Sequence, residues 1–220
     1  MNQTTPIDST GNNTPLAGVN VALVSTGLNG DVLDFSSGRV DMGAAILPLG
    51  DFTQSAWINP DALGSFQGVL GNWFSGQTGR TYFGTSGTAF RWDGYNTSGI
   101  QAGTLVNGTW VFISVTRTGS AISMAINGVE VNTETDSGTP NTAQNTFIGG
   151  LTGGTNNFFD GRIGENRLSN NFSSGDRLLT EVDNRLTAAT WWTSSAYGEG
   201  GGGSATIPVI MNQLRNQRIA

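Results

Sequence analysis

The chain has 220 residues, of which 33 are glycine and only 12% are charged, and its formal net charge is −6. An acidic chain lacks the basic surface with which proteins bind nucleic acid, so we expect no nucleic-acid partner. It contains neither cysteine nor histidine, which excludes disulfides, thiolate zinc sites, and Ser-His-Asp or Cys-His catalysis.

The first 18 residues are polar and include Pro6 and Pro15. This composition predicts an N-terminal arm, residues 1–18, rather than part of a core. The arm has neither the basic nor the apolar region of a secretory signal. No run in the chain reaches the roughly 18 apolar residues of a membrane span. We therefore expect a protein without a signal peptide and without membrane insertion.

Short segments of alternating apolar and polar residues follow, separated by Asn-Gly, Ser-Gly, Gly-Gly and Thr-Gly turns. Many short strands with closely spaced turns are typical of an all-β, antiparallel jelly-roll sandwich. The predicted strands are residues 19–25, 32–35, 39–42, 52–58, 67–74, 80–84, 88–92, 99–105, 146–148 and 158–168, with a hairpin within 109–131.

The segment Thr109–Val131 carries the clearest strand pattern. Every second residue from Val111 to Val115 is apolar, and the same alternation recurs from Ile122 to Ile126. The Asn127-Gly128 pair that follows is the strongest short-range hairpin signal, because a type I′ turn needs two residues that tolerate positive φ. This segment therefore predicts antiparallel pairing.

One helix is predicted, from about Gly175 to Leu186. Leu178, Leu179, Val182 and Leu186 recur at helical spacing and share one face. We expect this short helix to lie across an edge or a face of the sandwich.

The C-terminal region divides into a Gly-rich linker, residues 198–204, and an apolar tail, residues 205–220. An apolar peptide on a flexible tether usually docks onto another surface. We expect the tail to attach the protein to a larger particle. The side chains predicted to make this contact are Ile207, Val209, Ile210, Met211 and Leu214.

Three segments resemble, in the same order, the hallmarks of laminin-G-like or concanavalin-A-like jelly-roll domains. They are Phe52–Asp61 (FTQSAWINPD), Trp110–Gly128 and Phe159–Ser169. In that family they form an aromatic-rich strand, a hairpin that ends in Asn-Gly, and a strand that leads into a short helix. The resemblance covers roughly residues 21–186 and places one such domain at residues 19–197. It implies a fold that hosts lectins, adhesion modules, hydrolases and passive spacers alike.

The family includes glycoside hydrolases, whose signature is Glu-x-Asp-x-(x)-Glu on a strand, with the carboxylates on one face. Glu181-Val182-Asp183 approaches this signature. It falls within the predicted helix, where the two carboxylates would point apart. Glu130 and Glu134 lack the intervening aspartate. We assign no catalytic residue and predict that the protein is not an enzyme.

Relatives of this fold often bind calcium through carboxylates in loops. Asp31, Asp34, Asp41 and Asp160 lie near predicted turns. Calcium needs about six to eight oxygen ligands, whereas a turn aspartate also stabilises its own backbone. We favour the second interpretation and assign no metal ligand, so calcium stays open and no other cofactor is expected.

Aromatic residues are concentrated in the middle of the chain. Sugar rings stack on exposed aromatic faces, and the candidates for such contacts are Trp73, Tyr82, Trp92 and Tyr95. The alternative is that these large side chains fill the sandwich core, as most aromatic residues do.

These features lead to three hypotheses. The first is a non-enzymatic virion structural protein of a bacteriophage, made in the host cytoplasm and placed on the capsid or tail, with other virion proteins or copies of itself as partners. The second is a carbohydrate-binding adhesion module that recognises surface glycans. The third, which we favour least, is a glycoside hydrolase.

Overall fold

The computed structural model describes residues 18–26, 30–74, 76–96, 99–151, 157–175, 177–179 and 182. Twelve β-strands follow one another along this part of the chain. They are β1 (Val19–Thr26), β2 (Gly30–Asp41), β3 (Phe52–Pro60), β4 (Gln67–Gly71), β5 (Tyr82–Ser86), β6 (Ala89–Asp93), β7 (Ile100–Ala102), β8 (Val111–Thr118), β9 (Ala121–Ile126), β10 (Val129–Thr135), β11 (Phe147–Ile148) and β12 (Asp160–Ser169).

The strands pair antiparallel in two sheets. The first sheet has the order β10-β9-β8-β3-β12-β2-β1, and the second has the order β11-β4-β5-β6-β7. The long strand β2 belongs to both, because its earlier part pairs with β12 and its last two residues pair with β11. The predicted all-β antiparallel jelly roll is confirmed. The predicted linker and tail, and the arm except for Gly18, lie outside the described residues.

The predicted strands 32–35 and 39–42 form one continuous strand, β2, so the predicted turn between them is wrong. The break is a bulge in which Ser37 has a φ of 56°. Gly38 allows this bulge to lie against β1, since an ideal Cβ there would overlap the carbonyl oxygens of Val19 and Asn20. A bulge keeps the strand direction where a turn would reverse it.

The hairpin predicted within Thr109–Val131 is confirmed as β8, β9 and the start of β10. Asn127 and Gly128 have φ angles of 50° and 77°, as a type I′ turn requires. Val111, Ile113 and Val115 lie in the main core between the sheets. The largest fully buried side chains include Trp57, Trp92, Tyr82, Phe35, Phe52, Phe83, Phe90, Phe112 and Phe159.

A second apolar cluster lies on the outer face of the first sheet. The helical residues Leu178 and Val182 are buried there against Trp57 and Phe112, whose ring centroids are 5.3 Å apart. The predicted helix therefore covers a face of the sandwich. The prediction is wrong for Leu179, which is 37% exposed, and Leu186 lies outside the described residues. Within the described ranges, no helical segment is long and apolar enough to cross a membrane.

Candidate functional site

Three of the four aromatic residues predicted to stack on sugars are buried. Trp92 has no exposed surface and fills the main core, while Tyr82 and Tyr95 are 2% and 4% exposed. A buried ring offers no face to a sugar, so the prediction of a stacking role is wrong for these three. Phe90 shares the inward face of β6 with Trp92, as strand alternation predicts.

Tyr82 points away from the main core and is covered there by a neighbouring ring. Phe66 packs edge-on against it, with the ring centroids 5.9 Å apart. The Tyr82 hydroxyl lies within hydrogen-bonding distance of the carbonyl oxygens of Gln67 and Thr85 and shares its single proton between them. Burial raises the pKa of Tyr82 well above its ordinary value. These contacts give the residue a structural role in joining β4 to β5.

Trp73 is the candidate that remains accessible. Its side chain is half-buried, and the guanidinium carbon of Arg80 lies 4.9 Å from a Trp73 ring centroid. This cation–π contact fixes the ring and leaves a positive charge beside it. Its role in sugar stacking stays a prediction.

A polar groove of about 440 Å³ lies where three loops meet. The loops follow β4, β6 and β10, and they place hydroxyl, amide and backbone groups along the groove. Its lining includes Thr78, Gly79, Asn96, Thr139 and Asn141. None of these side chains is charged, so the groove can donate to and accept from a neutral polar ligand. We call it the loop groove.

Hydrogen bonds between the loops hold the loop groove in shape. The Gly79 amide donates to the Tyr95 carbonyl (3.1 Å), and the Asn141 amide donates to the Gly79 carbonyl (2.7 Å). The Asn72 side-chain amide donates to the Asn141 carbonyl (3.1 Å). Gly79 has a φ of 70°, and a Cβ there would crowd the backbone of Thr139. Glycine is therefore needed where the two loops cross.

A buried polar network supports the loop groove, centred on the carboxylate of Asp136, which is 1% exposed. This carboxylate accepts hydrogen bonds from the amides of Tyr95 (2.6 Å) and Gly138 (2.7 Å). Arg117 donates to the carbonyls of Asp136 (3.2 Å) and Gly138 (3.1 Å). The loops that follow β6 and β10 are thereby tied to β8.

Tyr95 belongs to this network and is not a stacking surface. Its hydroxyl donates to the Pro48 carbonyl (3.0 Å), and the Arg117 guanidinium carbon lies 5.3 Å from its ring centroid. Burial raises the pKa of Tyr95 above its ordinary value. Tyr95 therefore stays neutral and supports the groove from below.

Trp73 and Arg80 lie on the loop that follows β4 and are not among the lining residues of the loop groove. Trp73 follows Asn72, which bonds to Asn141, and Arg80 follows Gly79, which bonds to both opposing loops. The loop that supplies Thr78 and Gly79 to the groove therefore also carries an aromatic ring and a cation. An aromatic ring and neutral hydrogen-bonding groups are the components of a sugar-binding site.

Another arginine–aromatic contact lies on the outer face of the second sheet. Arg91 Nε is 2.6 Å from Asp93 Oδ1, and its guanidinium carbon lies 5.1 Å from the ring centroid of Phe66, which is 42% exposed. Burial raises the pKa of Asp93, although the positive charges of Arg91 and Arg80 oppose this shift. The Arg80 guanidinium, which packs on Trp73, therefore also acts electrostatically on this pair.

The aspartates considered as calcium ligands have protein partners or lie apart. Asp41 accepts a hydrogen bond from the Gly43 amide (2.8 Å), which stabilises its own turn, and Asp34 pairs with Arg162 (3.3 Å). The Asp31 side chain is outside the described part of the chain. Within that part, no group of three or more His, Cys, Asp or Glu residues could hold a metal ion.

The carboxylates considered for hydrolysis are not brought together. Glu130 lies on β10 and accepts a hydrogen bond from Ser123 (2.6 Å), whereas Glu134 on the same strand pairs with the core residue Ile122 and points to the other face. Glu181 and Asp183 lie outside the described residues. No described pair therefore matches the facing carboxylates of a glycosidase.

The profile of a laminin G-like family, described as the concanavalin A-like lectin/glucanases superfamily, matches residues 34–178, which is more than half of the 220 residues. The chain belongs to this superfamily. None of the curated protein sequences matches it significantly. This superfamily domain therefore contains every described residue of the loop groove.

Solved structures with the same fold share few identical residues with this superfamily domain. Domain 4 of AbnA, a GH43 extracellular arabinanase from Geobacillus stearothermophilus in complex with arabinotriose, has 14% identity and a TM-score of 0.65, over 79% of this chain and 90% of that chain. The binding domain of Paraclostridial Mosquitocidal Protein 1 has 13% identity and a TM-score of 0.63, over 79% of this chain and 48% of that chain. The Ruminococcus gnavus IT-sialidase CBM40 bound to α2,3-sialyllactose has 15% identity and a TM-score of 0.51, over 61% of this chain and 83% of that chain. At these identities the likeness shows the fold.

Sequence reasoning missed most of the loop groove. It did not single out Asn96, Thr139 or Asn141, nor the supporting residues Arg117 and Asp136. One signal was available, because residues 138–146 (GTPNTAQNT) are a long run of turn-forming and hydrogen-bonding residues after a strand. Long loops of this kind often carry binding residues.

Proposed function

We propose that this protein is a non-catalytic carbohydrate-binding module and that the loop groove, with Trp73 on one of its loops, binds the sugar. The observation that carries the proposal is the combination of a neutral polar groove with an accessible indole ring fixed by Arg80. Ligand sites of this kind combine an apolar surface with a few placed polar groups.

Domains of the same fold support this proposal. The structure of domain 4 of the arabinanase contains arabinotriose, and that of the sialidase module contains sialyllactose. They support binding of a glycan rather than its hydrolysis, since the described carboxylates do not face one another across a groove.

Recognition follows from the groove chemistry. One sugar ring stacks on Trp73, while its hydroxyls bond to the hydroxyls and amides of Thr139 and Asn96. Arg80 beside the indole favours a ligand that also carries a negative charge near the stacked ring. Because the loops are held by buried hydrogen bonds, little backbone order is lost on binding.

Glycan-array screening, followed by calorimetric titration of the best ligand, tests this proposal. We expect Trp73→Ala to weaken binding about tenfold or more, since stacking contributes on the order of 1 kcal/mol beyond the buried area. Thr139→Val should weaken binding by a smaller factor and leave the fold unchanged. The matched aromatic control is Phe66→Ala, which also removes a partly exposed ring beside an arginine, away from the loop groove. An array on which Trp73→Ala weakens binding to no glycan would overturn the assignment of the site.

A second candidate function is structural, that of a virion protein attached to its particle through the C-terminal tail. It is favoured by one sequence feature, the apolar segment at residues 205–220 behind the Gly-rich run at 198–204. In this role the sandwich would be displayed outward, and repeated copies on one particle would strengthen weak glycan binding. The bacteriophage context and the location in the virion stay predictions.

Removing residues 206–220 tests this structural role. The truncated protein should keep the unfolding midpoint of the full chain but should no longer be incorporated into particles, as measured by mass spectrometry of purified virions. Incorporation at normal occupancy would exclude attachment through the tail without affecting the carbohydrate proposal.

A further inference from the structure

A second groove, of about 540 Å³, lies on the outer face of the first sheet. One row of its floor consists of Thr116, Ser123 and Thr133, which are direct cross-strand partners on β8, β9 and β10. Their side chains point away from the main core, since the intervening residues Val115 and Met124 are part of that core. Three hydroxyl-bearing residues therefore lie side by side at the strand spacing of roughly 4.8 Å.

The next row of the floor has equally small side chains. Thr118, Ala121 and Thr135 are cross-strand partners in the same three strands, and all three are exposed. Small residues in two consecutive rows create the groove, because larger side chains at these positions would fill it. We call it the sheet groove.

Phe172 borders the sheet groove with a ring that is 51% exposed. The backbone on both sides of Phe172 is fixed to β3. The Thr53 hydroxyl donates to the Asn171 carbonyl (2.8 Å) and accepts from the Ser173 amide (2.8 Å). The aromatic ring is thus exposed although its backbone is held on a buried strand.

The carboxylate of Glu130 completes the border of the sheet groove, because Glu130 pairs with Ala125 on the outer face of β9. Glu134, another lining residue, pairs with the core residue Ile122 and points to the other face. The Ser123 hydroxyl donates to Glu130 Oε2 (2.6 Å). Among the described residues, Glu130 forms no ion pair with an arginine. It can therefore accept hydrogen bonds from ligand hydroxyls, and its charge disfavours an anionic ligand.

The geometry points to a second carbohydrate site in the sheet groove, separate from the loop groove, which binds an uncharged oligosaccharide. One sugar ring stacks on Phe172, and its neighbours lie over the hydroxyl row, where Ser123 and Thr133 bond to the sugar hydroxyls. Glu130 accepts further hydroxyl protons. The two grooves differ in charge, since the lining of the loop groove has no charged side chain whereas Glu130 borders the sheet groove.

Calorimetric titration of the full chain with uncharged oligosaccharides of glucose, xylose, arabinose, mannose and galactose tests this inference. We expect at least one of these probes to bind with an affinity that Phe172→Ala lowers about tenfold. Trp73→Ala should leave the same affinity unchanged. Thr133→Val, which keeps the side-chain shape and removes the hydroxyl, should weaken binding severalfold with an unchanged urea midpoint.

Four outcomes would overturn the inference. Two concern uncharged probes, namely the absence of any whose binding depends on Phe172 and an equal loss of that binding in Trp73→Ala. The other two are preferential binding of an acidic probe such as trigalacturonate at Phe172, and binding there of a basic peptide in place of all sugars. Failure of the Trp73 variant alone to affect any glycan would overturn the loop groove and leave the sheet groove intact.

Discussion

The cluster under the helix and the network under the loop groove stabilise the same domain by different means. Trp57, Phe112 and Leu178 pack without hydrogen bonds between their side chains, as a largely apolar contact. Asp136 and Arg117 are as deeply buried, but each fixes loop backbone through directed hydrogen bonds. Apolar burial is non-directional, whereas a buried polar group is costly once it loses a partner.

This difference suggests a division of roles. The apolar cluster sets stability and can lose part of its volume without a change in any binding group. The polar network sets the geometry of the loop groove, because two loops depend on one carboxylate. Substitutions in the first region should therefore change stability alone, and substitutions in the second should change stability and glycan binding together.

The largest effect is expected for Trp57→Ala, which should lower the free energy of unfolding by about 3 to 5 kcal/mol, since a fully buried indole is replaced by a cavity. Urea unfolding measures this loss. Trp73→Ala is the matched control, because the same residue type is only half-buried there. It should lower the free energy of unfolding far less than Trp57→Ala does. Glycan affinity at the loop groove should be unchanged in Trp57→Ala, and a loss of affinity would contradict the division of roles.

The next largest effect is expected for Asp136→Ala. It should lower the free energy of unfolding by about 2 to 3 kcal/mol, because the amides of Tyr95 and Gly138 lose their acceptors. This variant should also lose most glycan binding at the loop groove. Asp51→Ala is the control, since Asp51 accepts a hydrogen bond from the Gly119 amide (2.7 Å) at an exposed position. This substitution should lower the free energy of unfolding by less than about 1 kcal/mol. Full glycan affinity in a folded Asp136→Ala protein would show that the network does not shape the groove.

A smaller effect is expected for Tyr95→Phe, which removes only the hydrogen bond to the Pro48 carbonyl. The free energy of unfolding, measured in urea, should fall by about 1 kcal/mol. The ring that faces Arg117 is kept, so glycan affinity should not change. A large loss of affinity would mean that the Tyr95 hydroxyl contacts the ligand, contrary to its buried position.

How far each region could be predicted depends on the distance in sequence between its partners. Alternation along β8 and β9 and the helical spacing of Leu178 and Val182 are local patterns, so the hairpin and the covering helix could be predicted. Asp136 and Tyr95 are 41 residues apart, and Arg117 and Gly138 are 21 apart. No local pattern indicates that these groups meet.

The aromatic residues considered for sugar binding show that local sequence patterns do not reveal contacts with distant residues. Alternation correctly sets Tyr82 and Phe83 on opposite faces of β5, since only Phe83 belongs to the main core. It cannot predict that Phe66, which lies outside any strand, covers Tyr82. Exposure of a strand residue depends on the loops above it as well as on its own face.

The smallest effect is expected for Asp93. Like the apolar cluster, Asp93 is removed from water, and like the polar network it has a polar partner, Arg91. Burial raises its pKa in the folded protein above the ordinary value of 3.8. The folded state therefore holds this proton more tightly than the unfolded state does. The contribution of Asp93 to stability is complete below pH 3.8 and is lost as the pH rises through the raised pKa.

Asp93→Asn should remove this pH dependence. The difference in unfolding free energy between the unsubstituted protein and Asp93→Asn, measured in urea from pH 3 to pH 7, should fall as the pH rises. Asp51→Asn, at an exposed position, supplies the control. If the difference instead grew with pH, the attraction of Arg91 and Arg80 would outweigh the burial of Asp93. The Arg91–Asp93 pair would then be a polar contact that stabilises in its charged form.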